Sequence, residues 1–387
     1  MIRLKIKHNA PNINRVDIKS LNKISKNNSI LTNGPLLNLF EKEAKSFLKS
    51  NYAIACSSGT AALELAISSL NLKKNSIVIM PAVNFVASYN VCKKRNLKIY
   101  LADVDEKTGQ MKPNHVIECM RSNKVKKVNV IINMYMAGFP ENVIEFAKLK
   151  KKLKCYLIED ACHAFGAEYF FKKKFFKVGS SFHSDICTFS FHPLKTITTG
   201  EGGLITTNNK YLAEKIKILR SHGITKNKDY WDYDVISLGY NYRMSEINAA
   251  LGLSQLKKVD DFLEKRKIIY KKYKNNLKKE KIFFPSYNEK NRSSYHLMIG
   301  SIKFKHEDLK NKFFKELVKN KIEIHFHYKP IYKFKIFEKK KFSLKGCEKY
   351  YNQSFSLPLH TKLSYKDINY ITNTIKRWLN ENSNTIR

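Results

Sequence analysis

Through the first two-thirds of the chain, short apolar blocks alternate with longer amphipathic stretches. Blocks at Ile77–Met80, Ile99–Leu101, Val128–Met134, Cys155–Ile158, Ile186–Phe191 and Leu204–Thr206 predict buried strands. Between them, a helical period over Ala61–Leu70, Phe85–Lys94, Asn142–Leu153 and Tyr211–Ser221 predicts helices. Strands alternating with helices predict an α/β fold with a mostly parallel sheet covered on both faces. Ligands of such sheets collect at the carboxyl ends of the strands. Past Ser245 the pattern changes. It predicts one long basic helix from Glu246 to about Leu277, strands at His296–Ile302 and Ile322–His327, and helices at His306–Lys319 and Tyr365–Leu379. The expectation is a large domain over residues 1–255 and a smaller α+β domain over 256–387, with the long helix as connector. No internal repeat and no Pro/Gly-rich linker marks the boundary.

Composition narrows the function classes. With 387 residues and 43% hydrophobic content, the chain can bury a large core. No apolar run approaches the roughly 20 residues that span a bilayer, and the basic, polar start through Asn14 lacks the apolar stretch of a secretory signal. Seven cysteines are scattered without a Cys-x-x-Cys pair, so neither a metal cluster nor a disulfide framework is expected. These features fit a cytoplasmic protein without a membrane partner. The net charge of +39 raises the question of nucleic acid. The basic residues are spread from Lys5 to Arg387, however, and runs such as Lys150–Lys152 and Lys339–Lys341 fall on helix faces or loops. Without a nucleic-acid motif, the expectation is no nucleic-acid partner and at most a steering effect on an anionic substrate.

Candidate chemistry sits at the predicted strand ends. Lys195 follows the strand Ile186–Phe191 and precedes the turn Gly200-Glu201-Gly202-Gly203. Desolvation there lowers an amine's pKa and makes it a nucleophile. Asp160 closes the strand Cys155-Tyr156-Leu157-Ile158-Glu159-Asp160. A lysine that bonds the cofactor and a buried aspartate for its pyridinium nitrogen are the pair that pyridoxal phosphate requires. Ser57-Ser58-Gly59-Thr60 precedes the helix Ala61–Leu70 and could cradle a phosphate, although taken alone it is an ordinary helix cap. Phe85 could stack on a ring or simply pack in the core. His163 comes off the same strand end as Asp160, and Ser190 lies five residues before Lys195. Asn241 and Arg243 form a polar pair that surface exposure would explain equally well.

The order of these signals resembles the DegT-type sugar aminotransferases of the fold-type-I class. The residues that carry the resemblance are Leu31-Thr32-Asn33-Gly34-Pro35, Ser57-Ser58-Gly59-Thr60-Ala61-Ala62-Leu63, Glu159-Asp160-Ala161-Cys162-His163, Ser190-Phe191-His192-Pro193-Leu194-Lys195, Gly200-Glu201-Gly202-Gly203 and Asn241-Tyr242-Arg243-Met244. It extends from about Asn27 to Leu379. The resemblance implies that Lys195 binds pyridoxal 5'-phosphate covalently and shuttles the proton, and that Asp160 pairs with the pyridine nitrogen. It places His163 near the cofactor's phenolic oxygen, Gly59, Thr60 and Ser190 at the phosphate, and Phe85 on the ring. Asn241 is similar to an asparagine that reaches the phosphate from a partner subunit, which implies a homodimer with shared sites. Leu31, Thr32, Asn33, Gly34, Ser58, His327, Tyr328, Lys329 and Pro330 align with sugar-nucleotide contacts. Some relatives carry His at the lysine position and are dehydratases, whereas Lys195 here implies a transaminase.

Arg220–Gly223, Ala250–Lys258, His327–Tyr332 and Ser356–His360 are closer to the branch of the family that serves pseudaminic-acid synthesis. That branch implies amination by L-glutamate at C4 of UDP-2-acetamido-2,6-dideoxy-β-L-arabino-hex-4-ulose. The alternative is another nucleotide 4-ketosugar of the bacillosamine or perosamine type.

Overall fold

The computed structural model describes residues 5–22, 24, 30–226, 229, 231–337 and 342–386, and the run Lys339–Lys341 lies outside them. Helix α1 (Arg15–Leu21) is capped by Asn14, and α2 (Pro35–Leu48) starts on a proline. The sequence pattern did not single out α2, yet Leu36, Leu37, Phe40, Ala44 and Leu48 bury one helical face. Then come β1 (Tyr52–Cys56), α3 (Gly59–Ser69), β2 (Ile77–Pro81), α4 (Ala87–Lys94), β3 (Lys98–Ala102), α5 (Pro113–Ser122), β4 (Val130–Met134), α6 (Val143–Leu153) and β5 (Tyr156–Asp160). A hairpin of β6 (Glu168–Phe171) and β7 (Lys174–Lys177) leads to β8 (Ile186–Ser190), β9 (Gly203–Thr207) and α7 (Lys210–Arg220).

These strands form one seven-stranded sheet in the order β1-β9-β8-β5-β4-β2-β3. The pairs β2–β3, β2–β4, β4–β5 and β5–β8 are parallel. Only β9 runs against its neighbours, pairing antiparallel with both β1 and β8. The mostly parallel sheet expected from the sequence is therefore present. Because β9 is flanked on both sides, β1 points the same way as β8 and β5. The carboxyl ends at Cys56, Pro81, Asp160 and Ser190 thus share one edge, the place where such sheets bind ligands. Central strands β4, β5 and β8 are almost wholly buried, consistent with helices on both faces.

A small hairpin, β10 (Ile224–Lys226) with β11 (Tyr233–Val235), precedes the rest of the chain. The predicted single helix from Glu246 to Leu277 is two helices, α8 (Glu246–Leu256) and α9 (Val259–Leu277). The break falls at Lys257–Lys258, where the Lys258 amine turns back to grip both oxygens of the buried Asp17 on α1 at 2.6 Å. The tie between Lys258 and α1 thus coincides with the break that divides the helix. Further on, β12 (Met298–Ser301) pairs antiparallel with β13 (Ser354–Leu357), and α10 (Glu307–Lys319), α11 (Lys345–Gln353) and α12 (Tyr365–Glu381) surround them. The expected strand at Ile322–His327 does not form. Its two ends bridge to different partners, Ile322 to Ile6 and His325 to Ser356, so no continuous ladder can grow. Among the described residues no helix is long and apolar enough to cross a membrane.

Candidate active site

At the ligand edge of the sheet, Asp160 ends β5 and is almost fully buried. Its oxygens accept hydrogen bonds from Ser88 Oγ on α4 at 3.2 Å and from the Cys162 amide at 3.3 Å. Ser88 is in turn reached by Asn84 Nδ2 at 3.3 Å, so the β2–α4 turn orients the carboxylate. Lys195 follows β8, and its carrier loop is closed by the Lys195 amide donating to His192 O at 2.9 Å. Burial lowers the Lys195 pKa, while Cys162 and Asp160 oppose the shift. The lysine and aspartate are therefore neighbours, and the amine is easier to deprotonate than a surface lysine. Burial and the adjacent Asp160 push the Cys162 thiol well up, so that cysteine stays protonated and unreactive.

The other wall comes from residues after α10. His163 is 2% exposed, and its Nε2 pairs with Tyr328 OH at 2.8 Å. Burial, with Lys195 and His327 adding to it, holds His163 well below the usual histidine range. Its Nδ1 is buried without a partner. Burial keeps the Tyr328 hydroxyl protonated, reinforced by Asp160. The Phe85 ring lies 5.9 Å from the Tyr328 ring and is 55% exposed, so it is not the core residue its apolar surroundings allowed. His327 stands 6.4 Å from the His163 ring. The segment is tied to the large sheet where Ile331 N–H donates to Ala82 O at 2.8 Å. Pro330 is buried at the head of a short 3-10 turn, while Lys329 is exposed and lays its amine over Phe334.

A ledge of amides adjoins this cluster. Ser58 caps α3 by accepting the Ala61 amide at 3.0 Å, which leaves the first amides at Gly59 and Thr60 without intrahelical acceptors. A Cβ on residue 59 would lie 2.7 Å from Ser190 Cβ, so only glycine lets α3 begin against the end of β8. Gly203 serves the same closeness, since a Cβ there would meet Ser58 O. Thr60 is exposed and Ser190 half-buried on the ledge, where the Ser190 hydroxyl accepts the His192 amide at 3.4 Å. Amides at a helix N-terminus, a hydroxyl, an open aromatic face, a carboxylate and a desolvated amine are the donor set that pyridoxal phosphate needs, and the residues fit the group.

Two predicted segments stay apart from this cluster. Leu31, Thr32 and Asn33 are exposed and packed on α8, where the Glu246 amide donates to Leu31 O at 3.0 Å. The buried Glu246 carboxylate accepts the amides of Gly34, Leu36 and Leu37 at 3.0, 2.8 and 3.0 Å, and so caps α2. Asn241 is exposed on a strip whose next residue, Tyr242, accepts the Ser57 amide at 2.8 Å. Sequence reasoning missed Glu246, Ser88 and His296, the last of which lies 4.3 Å from His163. Ser88 was legible in principle, one helical turn after Asn84 and Phe85. Glu246 and His296 carry no local signal, because their partners are distant in sequence.

Comparison with known proteins agrees with this arrangement. Residues 11–376 match the DegT/DnrJ/EryC1/StrS aminotransferase family. The chain is 34% identical over 376 residues to a UDP-4-amino-4,6-dideoxy-N-acetyl-β-L-altrosamine transaminase of Campylobacter jejuni, covering 96% of each. It is 38% identical over 243 residues to a GDP-perosamine synthase of Escherichia coli O157:H7, covering 62% of this chain and 63% of the other. Among solved structures, Helicobacter pylori PseC, an aminotransferase of pseudaminic-acid biosynthesis, superposes with a TM-score of 0.89 at 30% identity, covering 97% of this chain and 99% of that one. The chain belongs to the DegT/DnrJ/EryC1/StrS family and is a pyridoxal-phosphate-dependent sugar aminotransferase of fold type I.

Proposed function

We propose that the protein transfers the amino group of L-glutamate to C4 of UDP-2-acetamido-2,6-dideoxy-β-L-arabino-hex-4-ulose, a step of pseudaminic-acid synthesis. The observation that carries this reading is the 34% identity to the Campylobacter jejuni altrosamine transaminase across 96% of both chains. Bound at the ledge, pyridoxal phosphate supplies the electron sink for both halves of the transfer. Lys195 would hold the cofactor and, once displaced, would act in each half as base and then as acid, taking a proton from one carbon and returning it to another within the same half. A lowered pKa suits that double duty. Asp160, fixed by Ser88 and the Cys162 amide, would hold a proton on the pyridine nitrogen. Gly59, Thr60 and Ser190 would bind the phosphate, and the open face of Phe85 would stack on the ring. His163 and Tyr328, paired at 2.8 Å, would form a neutral pair for the cofactor's phenolic oxygen. Ser58, His327, Tyr328, Lys329 and Pro330 face the sugar nucleotide.

The remaining site residues come from a second copy. Beside the exposed Asn241, the β10–β11 hairpin and the segment after it leave Trp231, Tyr233, Val235, Ile236 and Leu238 in solvent, the last at 95% exposure. A contiguous apolar surface of this kind favours association. A homodimer would cover it and bring Asn241 and Leu31–Gly34 to the partner's site. The seven cysteines are free thiols, as suits a cytoplasmic enzyme.

A second reading, amination of a different nucleotide 4-ketosugar, is supported by the GDP-perosamine synthase similarity. A product assay separates the two. The holoenzyme is given L-glutamate and, in turn, the L-arabino and D-xylo epimers of the UDP-4-keto-6-deoxy-N-acetylhexosamine and GDP-4-keto-6-deoxymannose. Amination of the L-arabino epimer alone is expected. Turnover of only one of the other two sugars would overturn the reading.

A further inference from the structure

His8, His327 and Ser356 form a hydrogen-bonded group between the N-terminal arm, the sugar-facing segment and β13. The arm is held in place by its backbone. Ile6 N–H donates to Lys321 O at 3.1 Å, the His8 amide to Glu323 Oε2 at 2.9 Å, and Leu359 N–H to His8 O at 3.1 Å. These bonds bring His8 Nε2 to 3.0 Å from Ser356 Oγ, while His327 Nδ1 lies 2.7 Å from the same oxygen. The two imidazoles stack at 5.2 Å with an interplanar angle of 22°.

Ser356 is fully buried, so its hydrogen bonding must close without water. A hydroxyl has one proton to give and two lone pairs to fill. His325 O, which also accepts the Ser356 amide at 2.9 Å, lies 3.1 Å from Oγ and is the one neighbour of that oxygen that can only accept, so the geometry points the hydroxyl proton to it. Both lone pairs therefore accept, one from His8 and one from His327. Burial holds His8 at about 3 and His327 well below the usual histidine range, so each ring is neutral and has a single N–H. With the hydroxyl proton on His325 O, that N–H falls on Nε2 in His8 and on Nδ1 in His327. The second nitrogen of His327, Nε2, has no partner among the described residues, and it is not among the polar atoms sealed from solvent.

We propose that Ser356 and His8 are positioning residues that lock His327 in the Nδ1–H form, so that Nε2 offers a bare lone pair to a hydroxyl or amide N–H of the sugar nucleotide. His327 in this state accepts and cannot donate. It therefore selects a substrate with a donor at that point and disfavours one that presents only a carbonyl or ether oxygen. The inference rests on the proposed reading in one respect, that the His327 wall faces the sugar.

Two measurements test it. Nitrogen-15 spectra of histidine-labelled holoenzyme without substrate report which ring nitrogen of His327 carries the proton. The expected signals are N–H at Nδ1 and a lone pair at Nε2, with the pattern lost in Ser356→Ala and kept in Ser356→Thr. A proton on Nε2 in the wild type would overturn the proposal, whatever the sugar proves to be. Kinetically, Ser356→Ala should raise KM for the UDP-ketosugar by about threefold to tenfold, the worth of one oriented hydrogen bond. The rate at which L-glutamate bleaches the bound cofactor should stay unchanged, and Ser356→Thr should restore KM. His8→Phe should raise the same KM with a smaller factor. An unchanged KM in Ser356→Ala, or a glutamate rate falling in parallel with it, reduces Ser356 to a packing role and overturns the proposal. Absence of turnover with every UDP-ketosugar would sink the substrate reading alone, since the spectra need no sugar.

Discussion

Asp160, His163, Lys195, Phe85 and Tyr328 meet at one edge of the sheet, whereas Leu31–Asn33 and Asn241 remain exposed on α8 and beside the β10–β11 hairpin. Both sets are equally prominent in the sequence. The first set comes off strand ends that the parallel sheet aligns within a single chain. The second is also firmly held, through the bonds from Glu246 of α8 to Leu31 and the start of α2 and through the Tyr242–Ser57 backbone bond, but it points outward. Polar groups presented to solvent near exposed Trp231 and Leu238 suit the contact with a second copy proposed above. On the proposed reading, one chain carries the chemistry, and a second copy would complete the substrate and phosphate contacts.

The largest effect should come from the chemical half. Lys195→Ala should lower turnover at least about 10³-fold, because no other group can relay the proton. Steady-state assays with the purified variant check this, and near-normal turnover would remove Lys195 from its role. Mixing inactive subunits sharpens the comparison. Lys195→Ala and Asn241→Ala, each impaired alone, should regain roughly a quarter of wild-type activity after unfolding and refolding together, as random pairing in a two-fold dimer places one intact site in half the molecules. Activity equal to the average of the separate variants would show that Asn241 acts within its own chain.

Asp160→Asn keeps the shape of the side chain and removes its charge. Cofactor affinity should fall by about tenfold to a hundredfold, as expected for a charge-assisted hydrogen bond. A fluorescence titration of the apo form measures it. Glu246→Gln should lower stability by about 1–3 kcal/mol, because a buried carboxylate that accepts three amides is replaced by a group with one acceptor oxygen. Urea unfolding measures that loss, and an unchanged midpoint would contradict the clamp.

The smallest effect is in pH dependence. Burial sets His8 at about 3 and His360 at about 4, and lowers His163, His296 and His327 as well. Unfolding releases these rings into water, where they bind protons below about pH 6.5. Their contribution is complete above that pH and is lost as the pH falls from about 6.5 toward 4 and 3. Stability measured across that range should decline with acidity, and His8→Phe should make the decline shallower by roughly one proton. An identical slope in the variant would show that His8 is not held neutral.

Much of this was legible in the sequence. The predicted large-domain strands appear within a residue or two, because central parallel strands are continuous apolar runs. Asp160 and Lys195 were placed by their strand ends. What failed to show had partners remote in the chain. The break between α8 and α9 coincides with a tie from Lys258 to Asp17, 241 residues apart. The expected strand at Ile322–His327 is divided between the arm and β13. The tautomer of His327 depends on Ser356 and His8, one on a strand that the pattern did not predict and one in an arm without a motif.

The most direct test of the central claim is to reduce the holoenzyme with borohydride and locate the fixed cofactor by peptide mass mapping. Among 72 lysines and arginines, the account predicts a single pyridoxyl adduct, on Lys195. An adduct on any other lysine, with Lys195 unmodified, would contradict it.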